Sequence, residues 1–332
     1  MNHILVTGGS GYVGSHVAKM LFEHGYYPVV FDLMSKIKPW ASPYWPAVVG
    51  DINNKWALDS LFRSFNFDAV IHLAASSEVG ASVTNPLRYY ENNVGGTSTL
   101  LRTCVEHNVK KIVFSSTSSV YGPIRQEDLP TKEWYPKNPV TSYGSSKWAV
   151  ESMLRDIDIS NQIRSVSLRY FNASGAAPDG SIGEYRSKPT HLIPSIQNVV
   201  DGKSAEFVIN GIKYETKDGT AVRDFTHIWD IAEAHIRALE YLNKDGKTDS
   251  FNIGAGCGKS VLEMFDEYVK QADIAIPMRI GDNRPGDIPI NFADISKAKE
   301  ILNWSPKMSD KETIVKTALQ WYSSSLYKSL IK

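Results

Sequence analysis

The sequence predicts an α/β fold, a doubly wound parallel sheet joined to a smaller, mixed α/β region. Three observations predict it. Short apolar runs alternate with helical patterns through the first 172 residues. A glycine-rich turn, Gly8-Gly9-Ser10-Gly11-Tyr12-Val13-Gly14, follows the first of those runs directly. Beyond Asn172 the alternation loosens into a stretch rich in Gly, Pro and Asp. Strands that alternate with helices are covered on both faces, and so read as continuous apolar runs.

In chain order, Ile4-Leu5-Val6 reads as a buried strand, and Val13 to His24 as a helix with Val13, Val17, Met20 and Leu21 on one face, ending at Gly25. Val29-Val30-Phe31 is a second strand that ends at Asp32, and Ala47-Val48-Val49 a third, before Gly50-Asp51. Between them, residues 33–46 carry three prolines and several large aromatics, which predicts an irregular loop. Ala69 to Leu73, Lys111 to Phe114 and Ser165 to Tyr170 are the fourth, fifth and sixth strands, and Trp148 to Arg155 is helical. Leu192 to Val200 reads as a helix, Phe225 to Leu242 as strand-turn-helix and Ser250 to Ile253 as a strand. The division expected is a dinucleotide-type domain over 1–172 and a second region over 173–332, with the strand–helix pieces near 221–254 returning to the first sheet.

The 332 residues suffice for a large core without staples. Thirty-six basic residues balance thirty-six acidic ones, which gives no support for nucleic acid or an anionic membrane as partner. Cys104 and Cys257 form neither a disulfide framework nor a Cys/His array, so buried small hydrophobes, no metal and a cytoplasmic location are expected. No apolar run approaches the ~20 residues that span a bilayer, and no secretory pattern opens the chain.

Two constellations carry chemistry. Gly8, Gly11 and Gly14 stand between strand and helix, where a tight turn, a close backbone approach to a pyrophosphate and close helix packing each need glycine. The helix N-terminus then offers free N–H groups and the positive end of its dipole to the anion. Their spacing is G-x-x-G-x-x-G rather than G-x-G-x-x-G. Asp32, ending the second strand, suits the adenosine ribose hydroxyls and would repel a 2′-phosphate, which favours NAD over NADP. Asp51 suits either the adenine edge or a plain turn after Gly50. Further on, Tyr143 and Lys147 share a helix face at i and i+4. An ammonium beside a phenol, whose reference pKa is about 10, together with a cationic nicotinamide, is expected to lower it and make a base for an alcohol proton. Thr117, after the fifth strand, can support the reacting oxygen.

With these residues in view, the chain resembles the extended short-chain dehydrogenase/reductases, and among them the UDP-hexose 4-epimerases, over essentially its whole length. Carrying the resemblance are Val6-Thr7-Gly8-Gly9-Ser10-Gly11-Tyr12-Val13-Gly14-Ser15-His16, Gly50-Asp51-Ile52, His72-Leu73-Ala74-Ala75 and Tyr89-Tyr90-Glu91-Asn92-Asn93-Val94. So do Tyr143-Gly144-Ser145-Ser146-Lys147, Arg169-Tyr170-Phe171-Asn172, Asp218-Gly219-Thr220-Ala221-Val222-Arg223-Asp224 and Arg284-Pro285-Gly286-Asp287. It implies a Rossmann-type domain, NAD as recycled cofactor, a UDP-sugar substrate and a homodimer built on helices such as Thr97 to Val105 and Trp148 to Arg155. It implies Tyr143 as base, with Lys147 and Thr117 beside it. Cofactor contacts are implied for Gly8, Gly11, Tyr12, Val13, Asp32, Asp51, Ile52, Leu73, Ala74, Ala75, Asn92, Ser115, Tyr143, Lys147 and Tyr170. Substrate contacts are implied for Thr117, Tyr143, Asn172, His191, Leu192, Phe207, Val208, Arg223, Arg284, Asp287 and Asn291, with the two arginines on the diphosphate.

Departures narrow the reading. Ser77 stands where some relatives carry a pyrophosphate-binding lysine. Asn291 stands where relatives vary between a bulky tyrosine and smaller residues, which points to room for an N-acetyl group. The sugar-nucleotide dehydratases carry Asp-Glu directly after the threonine, and the UDP-glucuronate decarboxylases a Glu at the second of those positions. Ser118 and Ser119 stand there in this chain. The rival readings are another UDP-sugar enzyme (a pentose or uronate 4-epimerase, or a decarboxylase) and a noncatalytic NAD- or UDP-sugar-binding protein.

Overall fold

The computed structural model describes residues 2–33, 45–186, 188–283 and 288–331. Seven parallel strands form the main sheet: β1 His3–Thr7, β2 Tyr27–Asp32, β3 Ala47–Val49, β4 Phe67–His72, β5 Lys111–Thr117, β6 Arg164–Tyr170 and β7 Asp249–Ile253. Their order is β7-β6-β5-β4-β1-β2-β3. The chain turns outward in opposite directions on either side of β1, so a crevice opens at the carboxyl ends of β1 and β4, where open α/β sheets bind ligands.

Apolar residues on both faces of each strand explain the two cores. Ile4 and Val6 face one core with Val17, Met20 and Leu21 of helix α1, Tyr12–Glu23. Leu5, Val29 and Phe31 face the other, with Leu58 and Leu61 of helix α2, Lys55–Ser64, and Leu100 and Leu101 of helix α3, Gly96–Glu106. On that second face also lie Val150 and Leu154 of helix α4, Ser142–Ile159. Helix α5, Ile228–Asn243, packs Ile231, Ala234, Ala238 and Leu239 into the α1 face. Of the pieces near 221–254, residues 228–253 lie on the first sheet, because β7 pairs with β6 from Asp249↔Val166 to Ile253↔Tyr170, whereas Val222–Arg223 and Phe225–His227 pair in small separate sheets.

A third core forms the rest. Phe207 and Ile209, on a short strand Phe207–Asn210 paired with Met278–Gly281, pack with Phe265, Tyr268, Ile314, Val315 and Trp321. Helices Val261–Ala272 and Lys311–Ser323 supply half of the buried residues of that core, and the sequence reading assigns neither. Of the aromatic loop, residues 34–44 lie outside the described residues. Trp45 is buried against the Phe22 ring at 5.9 Å. Both cysteines are free, Cys104 buried and Cys257 exposed. No helix among the described residues is long and apolar enough to cross a membrane.

Four imidazoles are buried in this framework. Burial pushes His72 and His227 down to about 3, and His16 and His235 down to about 4. The unfolded chain binds these protons near pH 6.5, so it holds more protons than the fold between pH 6.5 and 4, and stability falls as pH drops through that window. Each imidazole costs about 1.4 kcal/mol per pH unit there. An NMR titration of the eight histidines is expected to show four that do not protonate above pH 5 while the protein is folded. All eight titrating near 6.5 would contradict the burial described.

Candidate functional site

The glycine turn leaves β1 and enters α1 with no side-chain cap on its first amides. Gly8 sits at φ +71°, where a Cβ would lie 2.6 Å from the backbone N of Ala74. A Cβ on Gly14 would lie 2.2 Å from the Gly8 carbonyl oxygen, so the helix can press onto the turn only because that atom is missing. The turn is tied down on both sides. The Gly8 N–H donates to the Phe31 carbonyl at 2.9 Å, and the Leu73 N–H to the Thr7 carbonyl at 3.0 Å. Beneath it, the His72 ring bridges the Thr7 hydroxyl at 2.7 Å and the Thr97 hydroxyl at 2.8 Å. An open cradle of uncapped N–H groups at a helix start fits a dinucleotide diphosphate.

At the end of β2, Asp32 accepts from the Ser10 N–H at 3.0 Å and faces the cleft. Asp51 accepts from the Asn53 backbone N–H at 2.8 Å and its amide at 2.9 Å, so it structures its own turn while lining the cleft. The opposite rim is a π-helical turn, Tyr90–Gly95, a geometry that favours functional sites. It aims Asn92 into the cleft and turns Asn93 inward, where the Asn93 amide donates to the Ser76 carbonyl at 3.1 Å and to Ser146 Oγ at 3.0 Å.

Helix α4 starts six residues before the expected Trp148. Thr141 caps it, its hydroxyl accepting from the Gly144 N–H at 3.2 Å, and this brings Tyr143 into the first turn and Lys147 into the second. Strand β5 runs three residues past Phe114, so Ser115 and Thr117 are strand residues. Lys147 is buried: its ammonium donates to the Ser115 carbonyl at 2.7 Å and lies 4.7 Å over the Phe114 ring. Burial pushes it down to about 7, against the pull of Glu151 one turn further on.

The protein's own residues do not lower the Tyr143 phenol by themselves. Burial raises it to about 12, and the Thr117 hydroxyl works against that rise. Desolvation of the phenolate outweighs any help from a lysine that is itself close to losing its charge. Below both residues lies a buried network that the sequence reading missed. Glu151 accepts from Ser116 Oγ at 2.5 Å, Arg169 Nε at 3.0 Å and Arg169 Nη2 at 2.5 Å, while Arg169 Nη1 donates to Tyr121 Oη at 2.8 Å. Only the i+4 spacing of Lys147 and Glu151 hinted at it.

A single cleft of about 1520 Å³ gathers these elements. Gly8, Gly11, Tyr12, Val13, Asp32, Asp51, Ile52, Leu73, Ala74, Ala75, Asn92, Ser115, Tyr143, Lys147 and Tyr170 line it, with Asn172, His191, Leu192, Phe207, Val208 and Arg223 on its other side. Tyr170 donates or accepts across 2.7 Å to His235, and Phe207 stacks on Phe265 at 5.3 Å. Thr117 lies behind Tyr143 and does not line the cleft. Neither does Asn291, whose side-chain oxygen instead faces the Thr131 hydroxyl at 3.4 Å because strand pairing with Arg223 fixes its backbone there. Arg284 and Asp287 lie outside the described residues. The cleft also takes in Arg186, which the sequence reading did not single out.

The NAD dependent epimerase/dehydratase family model matches residues 4–254. A UDP-glucose 4-epimerase of Halalkalibacterium halodurans is 44% identical over 319 residues, covering 96% of this chain and 95% of that protein. Among solved structures, the UDP-glucose 4-epimerase of Brucella ovis in complex with NAD is 40% identical, with a TM-score of 0.92 over 96% of this chain and 97% of the other. That of Bifidobacterium longum in complex with NAD+ and UDP is 35% identical, with a TM-score of 0.90 over 98% and 99%.

Proposed function

The chain belongs to the NAD dependent epimerase/dehydratase family, and we propose that within it the protein interconverts UDP-galactose and UDP-glucose at C4, with NAD as a recycled cofactor. The observation that carries this reading is the pair Tyr143 and Lys147, one helical turn apart on the wall of a cleft that also contains the glycine turn. The similarity to UDP-glucose 4-epimerases along the whole chain supports it. NAD, when bound, supplies a hydride acceptor and donor, so no net redox change is required.

The residues divide the work as follows. The first turn of α1, with Gly8 and Gly11, holds the diphosphate, and Asp32 receives the adenosine ribose hydroxyls. Tyr143 takes the proton of the sugar 4-hydroxyl, with Thr117 steadying the phenol from behind. Lys147 fixes the nicotinamide ribose and returns positive charge to the phenol once the site is filled. Asn172, His191, Leu192, Phe207, Val208, Arg223, Arg284 and Asp287 hold the UDP moiety, two guanidiniums meeting the diphosphate. A firm hold on UDP with a loose one on the sugar lets a 4-keto sugar present either face. Asn291 sits off the cleft, directed toward Thr131, and so sets no side chain against the sugar, which keeps N-acetylated hexoses as second candidate substrates.

NMR of the purified protein with UDP-galactose and then UDP-N-acetylgalactosamine tests the reaction. Formation of the matching gluco sugar at unchanged mass is expected. Loss of water or carbon dioxide, or binding with no conversion, would overturn it. Asp32→Asn is expected to relax the preference for NAD over its 2′-phosphorylated form by about tenfold or more, because a like charge no longer faces the phosphate. The ratio of the two dissociation constants checks this.

The protein acts as a homodimer in the cytoplasm on this reading. Val83 and Leu87 are 67% and 69% exposed on short helices beside α4, which supports pairing there, and two free thiols suit a reducing compartment. Sedimentation of a monomer at micromolar concentration would count against the dimer.

A further inference from the structure

We propose that Arg186 completes the diphosphate site of the dinucleotide from across the cleft, as the cation that the glycine turn itself lacks. The inference rests on the reading that this cleft takes NAD. Among the described residues, the half of the cleft around the turn is lined by Asp32, Asp51, Glu78 and Glu91 against only Arg88 and Lys147. Lys147 is committed to the Ser115 carbonyl, and Arg88 stands exposed on the rim. A dianion placed there meets uncapped amides and a helix dipole but a net acidic surround.

The facing wall is its complement. Arg186, Lys188 and Arg223 line it, with no carboxylate among the described lining residues of that wall. Arg223 already donates to the Val222 carbonyl at 2.9 Å, and Lys188 is exposed. Arg186 is mounted differently. Its Nε lies 2.8 Å from Glu184 Oε1, and the same oxygen lies 2.8 Å from His191 Nδ1. Glu184 is buried, and its own carbonyl accepts from the Trp321 indole at 3.1 Å. Gly183 beside it packs so closely that a Cβ would lie 2.3 Å from the Trp321 ring. The guanidinium is therefore ion-paired to a buried carboxylate, and its two Nη groups have no hydrogen-bond partner among the described residues.

Its place follows from how the segment that carries it is held. The Tyr12 hydroxyl, in the first turn of α1, donates to the Gly175 carbonyl at 2.6 Å, and the His16 ring lies 3.2 Å from the Ile182 carbonyl, so the chain leading to Arg186 packs against the start of that helix. The fork therefore lines the same cleft as the turn, on a segment packed against the start of α1, and a diphosphate lying on the turn would accept two parallel N–H bonds from it.

The test is the dissociation constant of NAD for the full chain, by calorimetry, with UDP binding measured alongside. Arg186→Gln is expected to weaken NAD by about tenfold or more, as the loss of a charge-assisted hydrogen bond would. It should also flatten the salt dependence, with UDP binding unchanged as the control for folding. Arg186→Lys should restore part of the loss. Unchanged NAD affinity in Arg186→Gln, a loss that falls on UDP instead, or an equal NAD loss in Arg88→Gln would overturn the inference. These outcomes leave the functional reading standing; wild-type protein that binds no NAD would bring down both.

Discussion

Tyr143→Phe is expected to lower epimerisation by about 10²–10⁴-fold, the range that a positioned general acid–base group contributes, while UDP binding stays as in the wild type. The expectation follows from the geometry. Tyr143 occupies the first turn of α4 at the cleft wall, one turn before Lys147, and its phenol bonds to the Thr117 hydroxyl. Tyr170 lines the same cleft, but its hydroxyl is held by His235 at 2.7 Å, and burial pushes its pKa well up. Tyr12 donates to the Gly175 carbonyl at 2.6 Å. The measurement is the initial rate of UDP-galactose conversion, with UDP affinity by calorimetry. Undiminished turnover would remove Tyr143 from the reaction, and a parallel loss of UDP affinity would make its role one of binding.

Glu151→Ala should destabilise the fold by about 3–5 kcal/mol, the usual cost of leaving a buried partner charge uncompensated. Glu151 is 7% exposed and Arg169 3% exposed, so the guanidinium left behind cannot be rescued by water. Glu151→Gln keeps the shape and removes the charge, and should lose less. Either change also acts on the site. Glu151 is the carboxylate that raises Lys147, whose ammonium also meets the Ser115 carbonyl and the Phe114 ring on β5 and works against protonation of His72 on β4. His72 is neutral at physiological pH, its proton lost above about 3. Without Glu151 the lysine should therefore fall below its present value of about 7. Denaturant unfolding reads the first effect, and NMR titration of isotopically labelled Lys147 reads the second. Stability within 1 kcal/mol of wild type would show that the pair is dispensable.

How far such residues could be read in advance depends on the range of the interaction. The glycine turn and Asp32 were legible because a tight strand-to-helix turn and a strand-end acid are local requirements. Leu192–Val200 was legible through its apolar face. The helix Val261–Ala272 carried a capping box, Ser260 with Glu263, that could have revealed it. The early start of α4 was also signalled, by Thr141 three residues before Gly144. Arg169 and Glu151 had no sign beyond the i, i+4 step from Lys147 to Glu151, because their partnership spans two elements that meet only when α4 packs on the sheet.

By itself the sequence determined the parallel α/β frame, the placement of the glycine turn and the i, i+4 pairing of Tyr143 with Lys147, since each depends on periodicity and spacing within one element. Only the tertiary structure decided the charge states. Burial, which depends on what packs above a residue, raised the Tyr143 phenol instead of lowering it and brought Lys147 close to neutrality. The tertiary structure also decided which distant residues share the cleft. It seated Arg186 on its rim and turned Asn291 toward Thr131, because strand pairing and packing set the direction of a side chain and sequence distance does not.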